Sequence, residues 1–243
     1  MLNKEEIKQL HNNLKVLREY EIAGVSFVVQ SFTWSMEEGF TESFSDLEKT
    51  DNDLYLNNFV ASEILKQCLV SFNGEQKSEE EIDKFSIEKV NFIVDKYREL
   101  SQDILEYLEG FDTQPVDTKE VEEYILTDKI TRTITFEYDE DVPPIKIKYR
   151  MLNIGESKEA ARKITEALKD KERKMNIQMD YIRNTIYALK TIESINGIEL
   201  NEKNIKDVSV EIIKTILQRL EKLEKDIIDK LGDGKKAGEE VKN

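Results

Sequence analysis

Residues 69–76 read LVSFNGEQ and residues 192–199 read IESINGIE. Each places Ser, an apolar residue and Asn-Gly at the end of an apolar run. A shift of 123 positions (Gly74 to Gly197) lays one on the other, and the same shift keeps Ser71/Ser194, Glu79/Glu202, Ile82/Ile205, Ser86/Ser209, Glu88/Glu211, Ile93/Ile216, Leu100/Leu223 and Leu108/Leu231 identical. Phe59/Ile182, Phe85/Val208, Val94/Leu217 and Tyr97/Leu220 stay hydrophobic. One spacing that preserves both an apolar stripe and its Asn-Gly and Ser punctuation is the signature of a repeat.

The repeat extends upstream. VSFVVQSFTWSMEEGF (25–40) lies over IKIKYRMLNIGESKEA (145–160) at a shift of 120 (Trp34 to Ile154). Val25, Phe27 and Val29 alternate, as do Ile145, Ile147 and Tyr149, the two-residue period of a half-buried strand. Ile130, Ile134 and Phe136 before the second, and Val16, Tyr20 and Ile22 before the first, suggest a partner strand, so each copy carries a β-hairpin. The second hairpin is the clearer; LKVLREYEI (14–22) could instead extend a helix. The period then becomes helical. Ser35 and Glu38 have capping-box spacing, Gly74 and Gly197 suit the left-handed residue just past a helix end, and Ser86 and Ser209 suit the N-caps of two long helices. Short helices at about 3–12 and 118–126 precede the hairpins.

The expected fold is therefore α+β and mostly helical: two tandem repeats, each a short helix, a β-hairpin and a three-helix bundle. They span 1–112 and 118–233, joined by 113–117. A mobile tail is expected at 234–243, where the apolar stripe stops. Ile213, Ile216, Leu220, Leu223 and Ile227 step by three and four, a seam able to pair with another helix, most of which must first close a core.

The chain of 243 residues has 51 acidic and 36 basic side chains, a formal charge of −15. Such a surface repels phosphates and anionic lipid, so neither nucleic acid nor membrane is expected as a partner. The nearest basic patch, Lys169–Lys174 (KDKERK), still interleaves acids. A lone cysteine, Cys68, can form neither an intrachain disulfide nor a zinc cluster, and its apolar setting favours a buried thiol. No apolar run has the length of a membrane span, and the charged N-terminal stretch does not read as a signal peptide.

Catalytic signals are sparse. His11 is the single histidine and, in LHNNL, reads as a surface residue. No phosphate-cradling glycine loop and no nucleophile motif stands in a fitting context. Ser78-Glu-Glu-Glu81 reads as acids at a helix start, and Asp139-Glu140-Asp141 as a solvated hairpin tip rather than a calcium loop. No catalytic, cofactor or metal residues are assigned. Trp34, where strand turns to helix, is either a core staple or an exposed anchor for a protein partner. With Phe32 and the repeat-equivalent Leu152 and Ile154 it forms the candidate protein-binding set.

FVVQSFTWSMEEGF, ASEILKQCLVSFNGE and VNFIVDKYRELSQDILEYLEG, together covering about residues 25–110, resemble the small cytoplasmic assembly proteins of tailed bacteriophages, of the tail- and baseplate-chaperone kind. The second copy departs from them, with Asn153-Ile154 in place of Thr33-Trp34. The resemblance implies a non-enzymatic protein that binds phage structural proteins in the host cytoplasm during assembly, or a relative retained in the virion. It implies no catalytic residues. Two similar faces could bridge two partners or sit in an oligomeric ring. The alternatives are a metal-dependent hydrolase built from carboxylates alone and an acidic regulatory binder of a basic protein.

Overall fold

The computed structural model describes residues 1–44, 53–111, 115–168 and 176–240. The first half contains α1 (Lys4–Asn13), β1 (Leu17–Ile22), β2 (Val25–Gln30), α2 (Trp34–Glu42), α3 (Asp53–Cys68), β3 (Leu69–Phe72), the one-turn α4 (Glu79–Ile82) and α5 (Ile87–Glu109). The second repeats the order with α6 (Thr118–Thr127), β4 (Thr131–Phe136), β5 (Ile145–Arg150), α7 (Ile154–Ala167), α8 (Asn176–Thr191), β6 (Ile192–Ile195), β7 (Ile198–Glu199), a 3-10 turn at Ile205–Asp207 in the place of α4, and α9 (Val210–Glu240). The fold is α+β with two similar halves, as the repeat predicted. Within LKVLREYEI, Leu17–Ile22 is strand, and α1 ends before it at a left-handed Leu14.

Each half opens with the same device. Asn3 caps α1 in a box with Glu6, and Asp117 caps α6 in a box with Glu120. The same carboxylates take a two-pronged bond from an arginine twelve residues on. Arg18 Nε and Nη2 donate to Glu6 at 2.6 and 2.9 Å; Arg132 Nε and Nη2 donate to Glu120 at 2.9 and 2.6 Å. Each helix is thereby pinned to the strand that follows it, in the bidentate geometry that makes arginine–carboxylate pairs strong.

The hairpins gain a further strand from an unexpected place. β3 pairs antiparallel with β2, and β6 with β5, with the same register shift after Val28 and after Lys148. The sheets are ordered β1-β2-β3 and β4-β5-β6-β7. LVSF and IESI, read from the sequence as ends of helices, are therefore strands, and Gly74 and Gly197 are not helix caps. Asn73-Gly74 (φ 51°, 78°) and Asn196-Gly197 (φ 53°, 79°) are left-handed pairs at hairpin turns, the geometry that favours Asn-Gly. The asparagine has a second task. Asn73 N–H donates to Ser26 O at 2.7 Å while its Oδ1 accepts from Ser26 N–H at 3.1 Å. Asn196 repeats both bonds with Lys146, at 2.7 and 2.8 Å. It extends the ladder by one pair where the backbone has already turned away.

Capping differs between copies. Asn153 and Glu156 close a capping box on α7, but Ser35 and Glu38 close none on α2. There the N-cap is Thr33, whose backbone is held by the other half: it bridges to Ser209, Trp34 N–H donates to Val208 O and Val210 N–H to Phe32 O. Ser78 and Ser86 cap α4 and α5. Ser209 stands just before α9, and its hydroxyl donates to Glu211.

One hydrophobic core runs through both halves. Phe27, Leu65, Ile93 and Leu100 of the first join Phe136, Ile147, Ile192 and Ile216 of the second. The α9 seam from Ile213 to Ile227 is buried in this shared interior. α9 runs to Glu240. Among the described residues no helix is long and apolar enough to cross a membrane.

Candidate protein-interaction surface

The two halves meet along a seam to which each contributes different elements. Trp34 is 1 % exposed. Its ring stacks on Tyr181 of α8 at 5.5 Å, and its Nε1–H donates to Thr185 Oγ1 at 3.0 Å. Below it, Glu37 pairs with Lys214 at 3.2 Å and Glu38 with Lys206 at 3.1 Å. Burial of Tyr181 pushes its hydroxyl pKa up to about 12.

The rest of the seam is polar at its ends and buried between. His11 is 2 % exposed, which corrects its reading as a surface residue. Its Nδ1 and Nε2 lie 2.7 Å from Pro143 O and from the Tyr107 hydroxyl, linking α1 to the turn after β4 and to α5. Burial holds its pKa below the ordinary value. The sequence placed it in a polar run; Tyr107 of its own half and the turn of the second half at Pro143 enclose it. Lys4 pairs with Asp139 at 2.7 Å across the same boundary. On α9, Glu211 is buried and accepts from Ser101 on α5 at 2.7 Å and from Ser209. Burial raises its carboxyl pKa.

The contact is heterologous. The first half offers the end of α1, residues 32–38 and α5; the second offers the turn after β4, α8, residues 205–210 and α9. Only α5 and α9 meet as equivalents. Of the candidate binding set, Phe32 and Trp34 are buried in this seam, where Trp34 is the staple that closes the chain on itself, and Leu152 is buried within the second half. Ile154, its repeat equivalent, is 74 % exposed. Other large apolar side chains of the second half are also exposed. Ile125, equivalent to His11 at a shift of 114 (Glu6 to Glu120), is 62 % exposed, and α6 carries Leu126 at 83 %. Ile228, on α9, is also exposed. Sequence reading named Ile154 but not Ile125 or Leu126; the arrangement of the halves buries Trp34 and leaves Ile154 exposed.

The remaining candidates resolve simply. Cys68 is buried and burial pushes its thiol up. Asp139 Oδ1 accepts from Asp141 N–H within its turn, and Ser78 and Glu81 form a helix cap. Among the described residues no group of three or more His, Cys, Asp or Glu is placed to hold a metal. Lys169–Lys174 lies outside the described residues. No family model, no curated protein and no solved structure matches this chain.

Proposed function

We propose that the chain is a non-enzymatic interaction protein of a tailed bacteriophage, which assists assembly of the tail or baseplate or forms part of it. The observation that carries the interaction reading is the exposure of three large apolar side chains in the chain's second copy of a docking element: Ile125 and Leu126 on α6, and Ile154 at the start of α7. Exposed apolar groups gathered at one place mark protein contacts. The soft motifs over residues 25–110 support the phage assignment, and the acidic surface of charge −15 suits a protein kept soluble until it meets its partners. On this reading it acts in the host cytoplasm during assembly, and in the virion if retained.

The test is capture of the tagged protein from infected cells with the bound proteins identified, alongside mass spectrometry of purified particles. Enrichment of tail or baseplate proteins supports the reading, and their presence without the chain in the particle makes it a chaperone. Capture of no phage structural protein overturns it.

A further inference from the structure

We propose that the exposed face of α6 and the α7 start binds the first half of a second copy of this chain, repeating between molecules the contact made inside one. This rests on reading that face as a protein interface and names its partner.

The argument is the direction of the internal seam. A heterologous contact uses two different faces, so a tandem pair satisfies one of each and leaves the other two open. The second half keeps its docking face, and the first half keeps its receiving face. The docking face shows its unused state at the equivalents of the seam's central residues: Trp34 is 1 % exposed and Ile154 is 74 % exposed. The receiving face comprises the β1–β2 turn, α3 and the α4–α5 junction. The β1–β2 turn exposes Ile22 and Val25, and an open cleft of about 500 Å³ lined by Phe72, Phe85, Glu81 and Lys84 adjoins the α4–α5 junction. Phe85 is the repeat equivalent of Val208, whose carbonyl receives Trp34 N–H.

Charge points the same way. The Glu38–Lys206 pair of the seam maps by the repeat onto Lys158 and Asp83. Both signs are reversed, so the pair stays oppositely charged between copies, with Asp83 shared with Lys66 at 3.0 Å. The Glu37–Lys214 pair maps onto Ser157 and Asn91, which carry no charge. Ser101 and Glu211 map onto Glu224 and Glu88, a like-charged pair that opposes the contact. The intermolecular version must also meet the loss of translational freedom that the internal one avoids. Association is therefore weaker than the seam and dependent on concentration, and because the faces differ it runs head to tail.

Sedimentation velocity on the full chain, from low micromolar up to roughly 0.5 mM, tests this. The expected result is a weight-average mass that climbs with concentration. Ile154→Asp, at an exposed site, is expected to weaken association at least about tenfold, as loss of a central apolar contact does, with an unchanged melting temperature. Lys158→Glu weakens it, and Lys158→Glu with Asp83→Lys restores it. Glu224→Gln strengthens it. A chain that stays monomeric throughout overturns the proposal. So does association indifferent to Ile154→Asp, or a charge swap that fails to restore it. A monomer that still captures phage proteins through this face refutes the second copy as partner and leaves the proposed function standing; self-association without such capture does the reverse.

Discussion

At Trp34 a single ring fills space made by three elements from two repeats, and its indole N–H is spent on Thr185. Truncation to alanine leaves a cavity, and Trp34→Ala is expected to lower stability by about 3–5 kcal/mol in urea melts, as large core deletions do. Trp34→Phe keeps most of the packing and loses the one hydrogen bond, worth about 1 kcal/mol. Ile154→Ala, at the equivalent position, should change the midpoint by no more than about 0.5 kcal/mol. Equal losses at 34 and 154 would contradict the seam described above. Glu211 and Glu156 contribute to the pH dependence with opposite signs. Glu211 is buried against Ser101 and Ser209, with Lys214 and Tyr97 near, and its folded pKa lies above 4.5. A raised pKa means the folded state holds the proton more tightly, so its contribution is full below about 4.5 and is lost as pH rises through the folded value. Glu156 is the opposite: Arg150 and the Asn153 amide hold it down to about 2. Its contribution is full above about 4.5 and lost as pH falls toward 2. On descending pH, Glu211→Gln should lose the share of the wild-type midpoint gained as the buried carboxyl takes up its proton, while the loss toward pH 2 that comes from Glu156 should remain.

Among the elements, the strands β3 and β6 hold the sharpest lesson. LVSF and IESI continue straight from helices, and a period reading over so few residues cannot separate the last helical turn from a four-residue strand. What converts them is the open edge of the hairpin, which supplies partners for their amides and carbonyls. Asn-Gly was legible as a turn in both copies; that the asparagine side chain also completes the ladder was not, since its partner stands 47 residues away at Ser26 and 50 residues away at Lys146. Asn196→Ala removes that acceptor and leaves a β-carbon in a left-handed conformation without compensation. The expected cost is about 1–3 kcal/mol, with faster amide exchange at Lys146 as the local readout. Asn196→Asp, which retains the acceptor, should be much milder. The pairing of Asn3 with Glu6 and Arg18, and of Asp117 with Glu120 and Arg132, was available in the sequence as a second repeated spacing, 114 residues apart (Glu6 to Glu120). It marks the same duplication as the Asn-Gly runs.

Over the whole molecule, duplication in sequence does not yield two separate cores. Leu100, Ile104 and Leu108 on α5 and Ile212, Ile213 and Ile216 on α9 bury one another's stripes in a shared interior. The full chain should therefore unfold in one cooperative transition, and residues 1–112 or 118–233 alone should show reduced helicity and no cooperative melt. Calorimetry checks the first and circular dichroism of the fragments the second; two resolved transitions would mean the halves stand independently. Order of elements, hairpins, helix starts at Ser78 and Ser86, and the tandem repeat all follow from short-range chemistry: side-chain period, capping donors and the residues that tolerate a left-handed backbone. These act within a few positions, so the chain carries them locally. Which copy of a repeated residue is hidden is another matter. Trp34 and Ile154, or His11 and Ile125, have equivalent local settings, and their burial depends on a heterologous contact between distant segments. Only the assembled tertiary structure breaks that equivalence, because a surface is exposed or covered according to what lies across from it.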